Sequence, residues 1–250
     1  MIFLSSGVII WETDSVGSYL YLIFCCSHQR ANVCRLYFFD ENRSKHLWVG
    51  EETAEMKRDE IRPKLIDGTI RVIAKEGLDK ASTKQIGLTS NLNEVYIYRC
   101  FKDKEDMFAK AFDSLDEELV GTAMTYVTIM YMEKMDYKTR CWFFFSSVWK
   151  FLLGNQDKCL AFIRYYYSPY FSKYSAENHK KRYQPLVDKF KGAFREDANV
   201  WMILNHILTT MLDFAVKVFD GAVPNDNDTA EHVFRLVYVS AQQYFKEKDC

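Results

Sequence analysis

Five histidines and seven cysteines carry the strongest intrinsic chemistry in this chain, and their spacing assembles neither set into a recognised site. His28, His46, His179, His206 and His232 are dispersed, and no H-E-x-x-H, G-x-S-x-G or phosphate-loop pattern occurs. Cys25 and Cys26 are adjacent, Cys34 follows, and Cys100, Cys141, Cys159 and Cys250 are scattered with no C-x-x-C. An odd, irregular set reads as free thiols in a reducing cytoplasm. Cys26-Ser-His28 beside Cys34 lacks zinc spacing, so neither a metal nor a cofactor is expected. The acids fall at ordinary surface spacings, and no enzyme is expected; a catalytic group assembled only by folding stays open as an alternative. Functional residue types gather instead in two places. Thr83, Lys84, Tyr98, Arg99 and Lys104 offer hydroxyls and cations of the kind that grip phosphates and base edges. Cys141-Trp-Phe-Phe-Phe145, Trp149, Phe151, Phe162-Ile-Arg-Tyr-Tyr-Tyr167 and Tyr170-Phe171 form an aromatic concentration.

The elements around these residues read as helices. Hydrophobic residues make up 48% of 250 residues with only 10 Gly and 4 Pro, which favours long uninterrupted helices over a turn-rich sheet. The net charge of −1 requires any nucleic-acid contact to come from a local patch. Residues 1–55 differ: Met1 to Trp11 and Tyr19 to Cys26 are apolar without a helical period. Neither is long enough to cross a bilayer, which takes roughly 20 apolar residues, and no lysine or arginine precedes Arg30. Met56 is the expected natural start, with the leader read as a misassigned extension or a disordered tail; a genuine extension is the alternative. From there Ile61, Leu65, Ile66, Ile70 and Ile73 form one stripe on a helix with Pro63 in its first turn. Gly77 stops it. Ser82 and Gln85 form a capping box for a short helix ending near Ser90-Asn91, and Asn93 caps a third helix to about Cys100. Asp103 opens a fourth, with Phe108, Ala111, Leu115, Leu119 and Tyr126 on its apolar face. Two short helices across a tight turn make a helix-turn-helix.

The run from Ser82 to Met107 resembles the TetR-family DNA-binding signature: a Thr-x-x-Ile-Ala start, an Ala-Gly-Val-Ser turn, a Leu-Tyr-x-(His/Tyr)-Phe core and a Lys-(Glu/Asp)-x-Leu tail. The preceding Ile70-Arg-Val-Ile-Ala-Lys-Glu-Gly77 looks like the end of the family's first helix, and the resemblance spans Ile61 to Phe112. Gly87 replaces the usual Ala, Ser90-Asn91 replaces Ala-Gly, Asn93 replaces Ser, and Cys100 stands where His or Tyr usually sits. The resemblance implies an all-α fold: an N-terminal three-helix helix-turn-helix domain over residues 56–104, then a larger helical effector-binding and dimerisation domain over 105–250. On the third helix, Ile97 and Phe101 are expected to face the core, with Leu92 beneath. Asn93, Glu94, Val95, Tyr96 and Arg99 are left outward; by resemblance Glu94, Val95 and Tyr96 approach bases and Tyr98 a phosphate. Arg99 suits guanine O6 and N7 or a phosphate. Thr83 and Lys84 at a helix start, and Lys104, suit phosphates.

In the family the aromatic region surrounds an effector pocket, and Trp142, Phe145, Trp149, Phe162, Tyr166, Tyr183 and His206 are the candidates, with ordinary helical core as the alternative for each. Trp201, Leu204, Leu208, Met211, Ala215 and Val218, then Val233, Leu236, Val237, Ser240 and Tyr244 beyond the Gly221-Ala-Val-Pro224 break, form stripes suited to a four-helix dimer interface or to internal core. The expected function is a ligand-responsive repressor that binds a palindromic operator as a homodimer and is released by a small apolar or aromatic effector. A helical adaptor with a degenerate helix-turn-helix is the alternative from another class.

Overall fold

The computed structural model describes residues 58–246 and, ahead of them, the backbone of five strands. The chain divides into two compact units, Met1–Lys57 and Arg58–Cys250. In the first, β1 (Ile2–Leu4), β2 (Val8–Glu12), β3 (Tyr19–Ile23), β4 (Arg35–Phe39) and β5 (Leu47–Trp48) pair in chain order as an antiparallel meander. Ile10 pairs with Tyr21, Tyr21 with Tyr37, and Tyr37 with Trp48. Short β-branched and aromatic runs bounded by polar residues suit strands, so the missing helical period has a structural counterpart. Cys25, Cys26, His28, Cys34, His46, Met56 and Cys250 lie outside the described residues.

The second unit is all-α among its described residues, apart from one isolated bridge between Phe194 and Phe245. Its helices start and stop where local chemistry dictates. α1 (Arg58–Glu76) ends at Gly77, whose φ of +81 needs no Cβ. It begins five residues ahead of Pro63, so the ring sits in the second turn rather than the first. The carbonyl that loses its donor belongs to Asp59, whose exposure keeps it open to solvent. α2 (Thr83–Thr89) opens with the full Ser82–Gln85 capping box. Asn91 then takes φ +54, and the Asn93 side-chain oxygen accepts from Val95 N at 3.0 Å to start α3 (Val95–Cys100). Asp103 caps α4 (Lys104–Tyr126) at 2.7 Å. Asp136, Asn199 and Asp226 cap α5 (Tyr137–Leu153), α8 (Val200–Phe219) and α9 (Asn227–Gln242) in the same way. Between them lie α6 (Gln156–Tyr166) and α7 (Ala176–Phe190), and a wide i→i+5 turn at Phe171–Ser175 leads into α7.

α4 runs unbroken from the helix-turn-helix into the larger bundle. Its stripe of Phe108, Ala111, Leu115 and Leu119 is buried as expected, but Tyr126 is exposed, because the helix passes into a 3-10 turn at Val127 and that valine takes the inward position. α1 packs on α6 as well as on α2, α3 and α4, so the first helix is shared between the helix-turn-helix and the bundle.

Candidate functional site

The outward face of the helix-turn-helix follows from which side of α3 is buried. Ile97 is fully buried, Cys100 and Phe101 are 4% exposed, and Val95, Tyr98 and Arg99 share the opposite, exposed face at i, i+3 and i+4. Val95 and Tyr98 are 54% and 64% exposed, an uncommon placement for large apolar and aromatic side chains without a partner surface. Glu94, Asn93 and Lys84 are exposed beside them, and Thr83, Tyr96 and Lys104 are half-buried. Thr83 Oγ1 reaches Glu94 Oε2 at 3.5 Å, which ties the start of α2 to the start of α3. The Arg99 guanidinium stands 5.4 Å from the Tyr96 ring, and the Lys104 ammonium 5.2 Å from the Phe108 ring. Eight of the nine residues singled out from sequence lie on α2, on α3 or in the turn between them, and Lys104 opens α4. The Asn93 side-chain oxygen is already used as a cap. Between Arg58 and Lys104 ten lysines and arginines face seven acids, so this module is positive in a chain whose net charge is −1.

The departures from the family pattern have physical reasons. A Cβ on Gly87 would sit 2.9 Å from the Leu92 carbonyl oxygen, so glycine here lets the turn fold back closely on α2. Ser90 occupies the usual Ala position, is 9% exposed, and its Oγ has no partner; a Cβ on Gly68 of α1 would fall 1.9 Å from it. Cys100 is buried, and its carbonyl accepts from Arg58 Nη2 at 3.3 Å, so its side chain offers no phosphate contact. Leu88, 73% exposed on α2, was not singled out from the sequence.

The seven pocket candidates do not form one wall. Trp142, Phe145 and Trp149 stack along α5 at 6.0 and 5.9 Å. Phe162, Tyr166 and Tyr183 converge on His179, at 6.4, 5.6 and 4.5 Å. His206 is exposed on α8 and joins neither group, because α8 buries its other face. An apolar cavity of about 70 Å³ lies between α5, α8 and α9, lined by Cys141, Phe145, Phe190, Leu204, Met211 and Phe234 among others. Of the seven candidates only Phe145 reaches it.

The residues that sequence reasoning missed are polar ones inside the bundle. Asp116 on α4 is fully buried, accepts from Arg182 at 2.5 Å and pairs with His179 Nδ1 at 2.9 Å. Its signal was a carboxylate one residue after Leu115 on an otherwise apolar stripe, and His179, Arg182 and Tyr183 share a face of α7 at i, i+3 and i+4. Arg164 on α6 donates through Nη1 to the carbonyls of Ile73 and Ala74, at 2.8 and 2.7 Å, in the last turn of α1.

Two short helices across a tight turn, set on a helical bundle, form a helix-turn-helix architecture, and comparison with known proteins makes it more specific. Residues 65–111 match the model of bacterial regulatory proteins of the tetR family. Solved structures agree in fold over most of the chain. A TetR family transcription regulator from Marinobacter aquaeolei VT8 has a TM-score of 0.61 at 12% identity, over 73% of this chain and 95% of that one. A putative TetR family regulator from Vibrio parahaemolyticus has a TM-score of 0.54 at 17% identity, over 74% and 99%. The regulator FadR from Bacillus subtilis, solved with stearoyl-CoA, has a TM-score of 0.55 at 18% identity, over 70% and 96%. No curated protein sequence matches the chain. Over residues 65–111 the chain is similar to the tetR family model, and over most of its length it has the fold of these solved TetR family regulators.

Proposed function

We propose that this protein is a ligand-responsive repressor whose dimer binds a palindromic operator through α3 and releases it when a small apolar or aromatic effector enters the bundle. The observation that carries the DNA-binding half is the α3 face, with Val95, Tyr98 and Arg99 outward over fully buried Ile97. In this reading Glu94, Val95, Tyr96 and Arg99 meet base edges, while Tyr98, Thr83, Lys84 and Lys104 meet phosphates. The effector half is supported by the aromatic interior and by FadR, whose solved form holds stearoyl-CoA. Arg164 supplies a physical link: it lies on α6 between Phe162 and Tyr166 and grips the end of α1, so a shift of α6 is transmitted to the reading head.

Dimerisation is proposed through α8 and α9, through Leu236 but only part of the stripes expected from sequence alone. Met211, Ala215, Val233 and Val237 are buried within the monomer, and Tyr244 lies beyond the end of α9. The face left over carries Met202, Leu236 and Val239 at 65%, 56% and 60% exposure, with His206 between Met202 and the middle of α8. α8 is long and apolar enough to cross a membrane by length and composition, yet only 17% of its apolar window is buried. A second copy covering that face accounts for both facts. Selection of bound fragments from a random DNA pool, run beside sedimentation of wild type and Leu236→Arg, tests this reading. An inverted repeat and a dimer that Leu236→Arg dissociates are expected; single half-sites bound by a monomer refute it.

A further inference from the structure

Close packing leaves few voids larger than a water in a protein interior, and the cavity between α5, α8 and α9 is larger than that. Its volume is about 70 Å³, and its wall is apolar almost throughout. α5 gives Phe145, α8 gives Leu204, Ile207 and Met211, and α9 gives Val237 and Ala241. None of the lining residues holds a buried polar atom that lacks a hydrogen-bond partner. A trapped water needs about two to four polar partners, which this wall does not offer. The wall is complementary to carbon instead: atoms that face a void forfeit dispersion contacts, and an apolar guest restores them.

Size narrows the class of guest further. A dry apolar cavity of about 150 Å³ takes benzene or xenon, and this one is roughly half that, so a saturated group of a few carbons fits where a flat ring does not. Met130 and Met211 stand in the wall, and their unbranched thioethers re-pack around a guest. Cys141 and Phe144 line the cavity and are only half-buried, so on that side a single layer of side chains separates it from solvent. α8 also connects the cavity to the helix-turn-helix. Asn205, next to Leu204, accepts from the Tyr166 hydroxyl at 2.9 Å. Tyr166 stands two residues beyond Arg164 on α6, whose guanidinium holds the end of α1. We propose that this cavity is the effector site and that it takes a neutral aliphatic hydrocarbon group.

This inference rests on the ligand-responsive reading, and methionine-methyl NMR of the full chain, run beside DNA-affinity measurements, separates the two. The probes are propane and ethanol, alike in shape but differing by one hydroxyl, whose burial against an apolar wall is costly. At equal free concentration, propane is expected to shift the Met130 and Met211 methyl signals at least about tenfold more than ethanol, with Met107 unmoved. Ala241→Val fills the cavity and should abolish those shifts. Val237→Ala enlarges it, an independent check, and should bind benzene at least about tenfold more tightly than wild type. No shift with propane, equal shifts with ethanol, shifts that survive in a folded Ala241→Val chain, or benzene binding unchanged by Val237→Ala each overturn the proposal. Propane shifts that leave DNA affinity unchanged keep the site and refute the regulatory reading. DNA release by a hydrocarbon that leaves both methyls unmoved does the reverse.

Discussion

Replacing Arg164 by Met should loosen the junction between the effector bundle and the reading head by a calculable amount. The guanidinium donates two hydrogen bonds, to the carbonyls of Ile73 and Ala74. Ile73 O also accepts from Gly77 N at 3.0 Å, so the loss falls mainly on Ala74, whose carbonyl is one of the last-turn acceptors of α1. Hydrogen bonds with a charged partner are worth about 1.5–3 kcal/mol each, and solvent exposure of Arg164 argues for the low end on one bond and less on the other. Attraction to the helix C-terminus adds about 0.3–1 kcal/mol at low salt. The sum is about 2 kcal/mol, or roughly 5 °C in Tm for a unit of this size. Urea unfolding followed by circular dichroism reads it as a lower midpoint at unchanged slope. Arg164→Lys keeps the charge but not the two-carbonyl geometry and should recover about half of the loss. The reasoning also requires Arg164→Met to blunt the change in DNA affinity caused by ligand. A variant within about 0.3 kcal/mol of wild type, with ligand response intact, refutes the assignment of this side chain as the link.

Two further outcomes follow from the same geometry. Ser90→Ala should stabilise the protein by about 1 kcal/mol, because it removes a buried hydroxyl without a partner, and Gly68→Ala should destabilise it by crowding that hydroxyl; Tm measurements on the pair decide both. Asp136 is held below the usual carboxylate range by its hydrogen bonds from the Thr139 hydroxyl and amide, and Asp226 by those from Thr229. Their contribution is therefore full above the ordinary Asp pKa and lost as pH falls through the depressed folded values, so urea midpoints should drop below about pH 4 and drop less in an Asp136→Asn, Asp226→Asn double variant.

The helix-turn-helix was legible in sequence because its determinants are local. The Ser82–Gln85 box, Gly77, Asn93 and Asp103 act within four residues, and a helical period of 3.6 residues suffices to bury Ile97 and Phe101. Long-range partners left no such trace. His179 meets Asp116 across 63 positions, and Arg164 meets Ala74 across 90. The α8 stripe was read as one apolar face, but a helix that faces both its own core and open surface is apolar on two. The core took Met211 and Ala215 and left His206 and Met202 outside. The paired strands of the first unit were missed because runs of three to five residues are too short for a period to register.

The most direct test of the account is the salt dependence of binding to a DNA fragment from upstream of this protein's own gene, comparing wild type with Tyr98→Ala and Lys104→Ala. The account predicts specific binding whose log affinity falls linearly with log salt, at a slope of about 0.9 per neutralised phosphate. Lys104→Ala should reduce that slope by about 1, while Tyr98→Ala should weaken binding at nearly constant slope. Affinity for specific and random DNA that is negligible at low salt, or that neither variant alters, contradicts the claim that this face of the protein reads DNA.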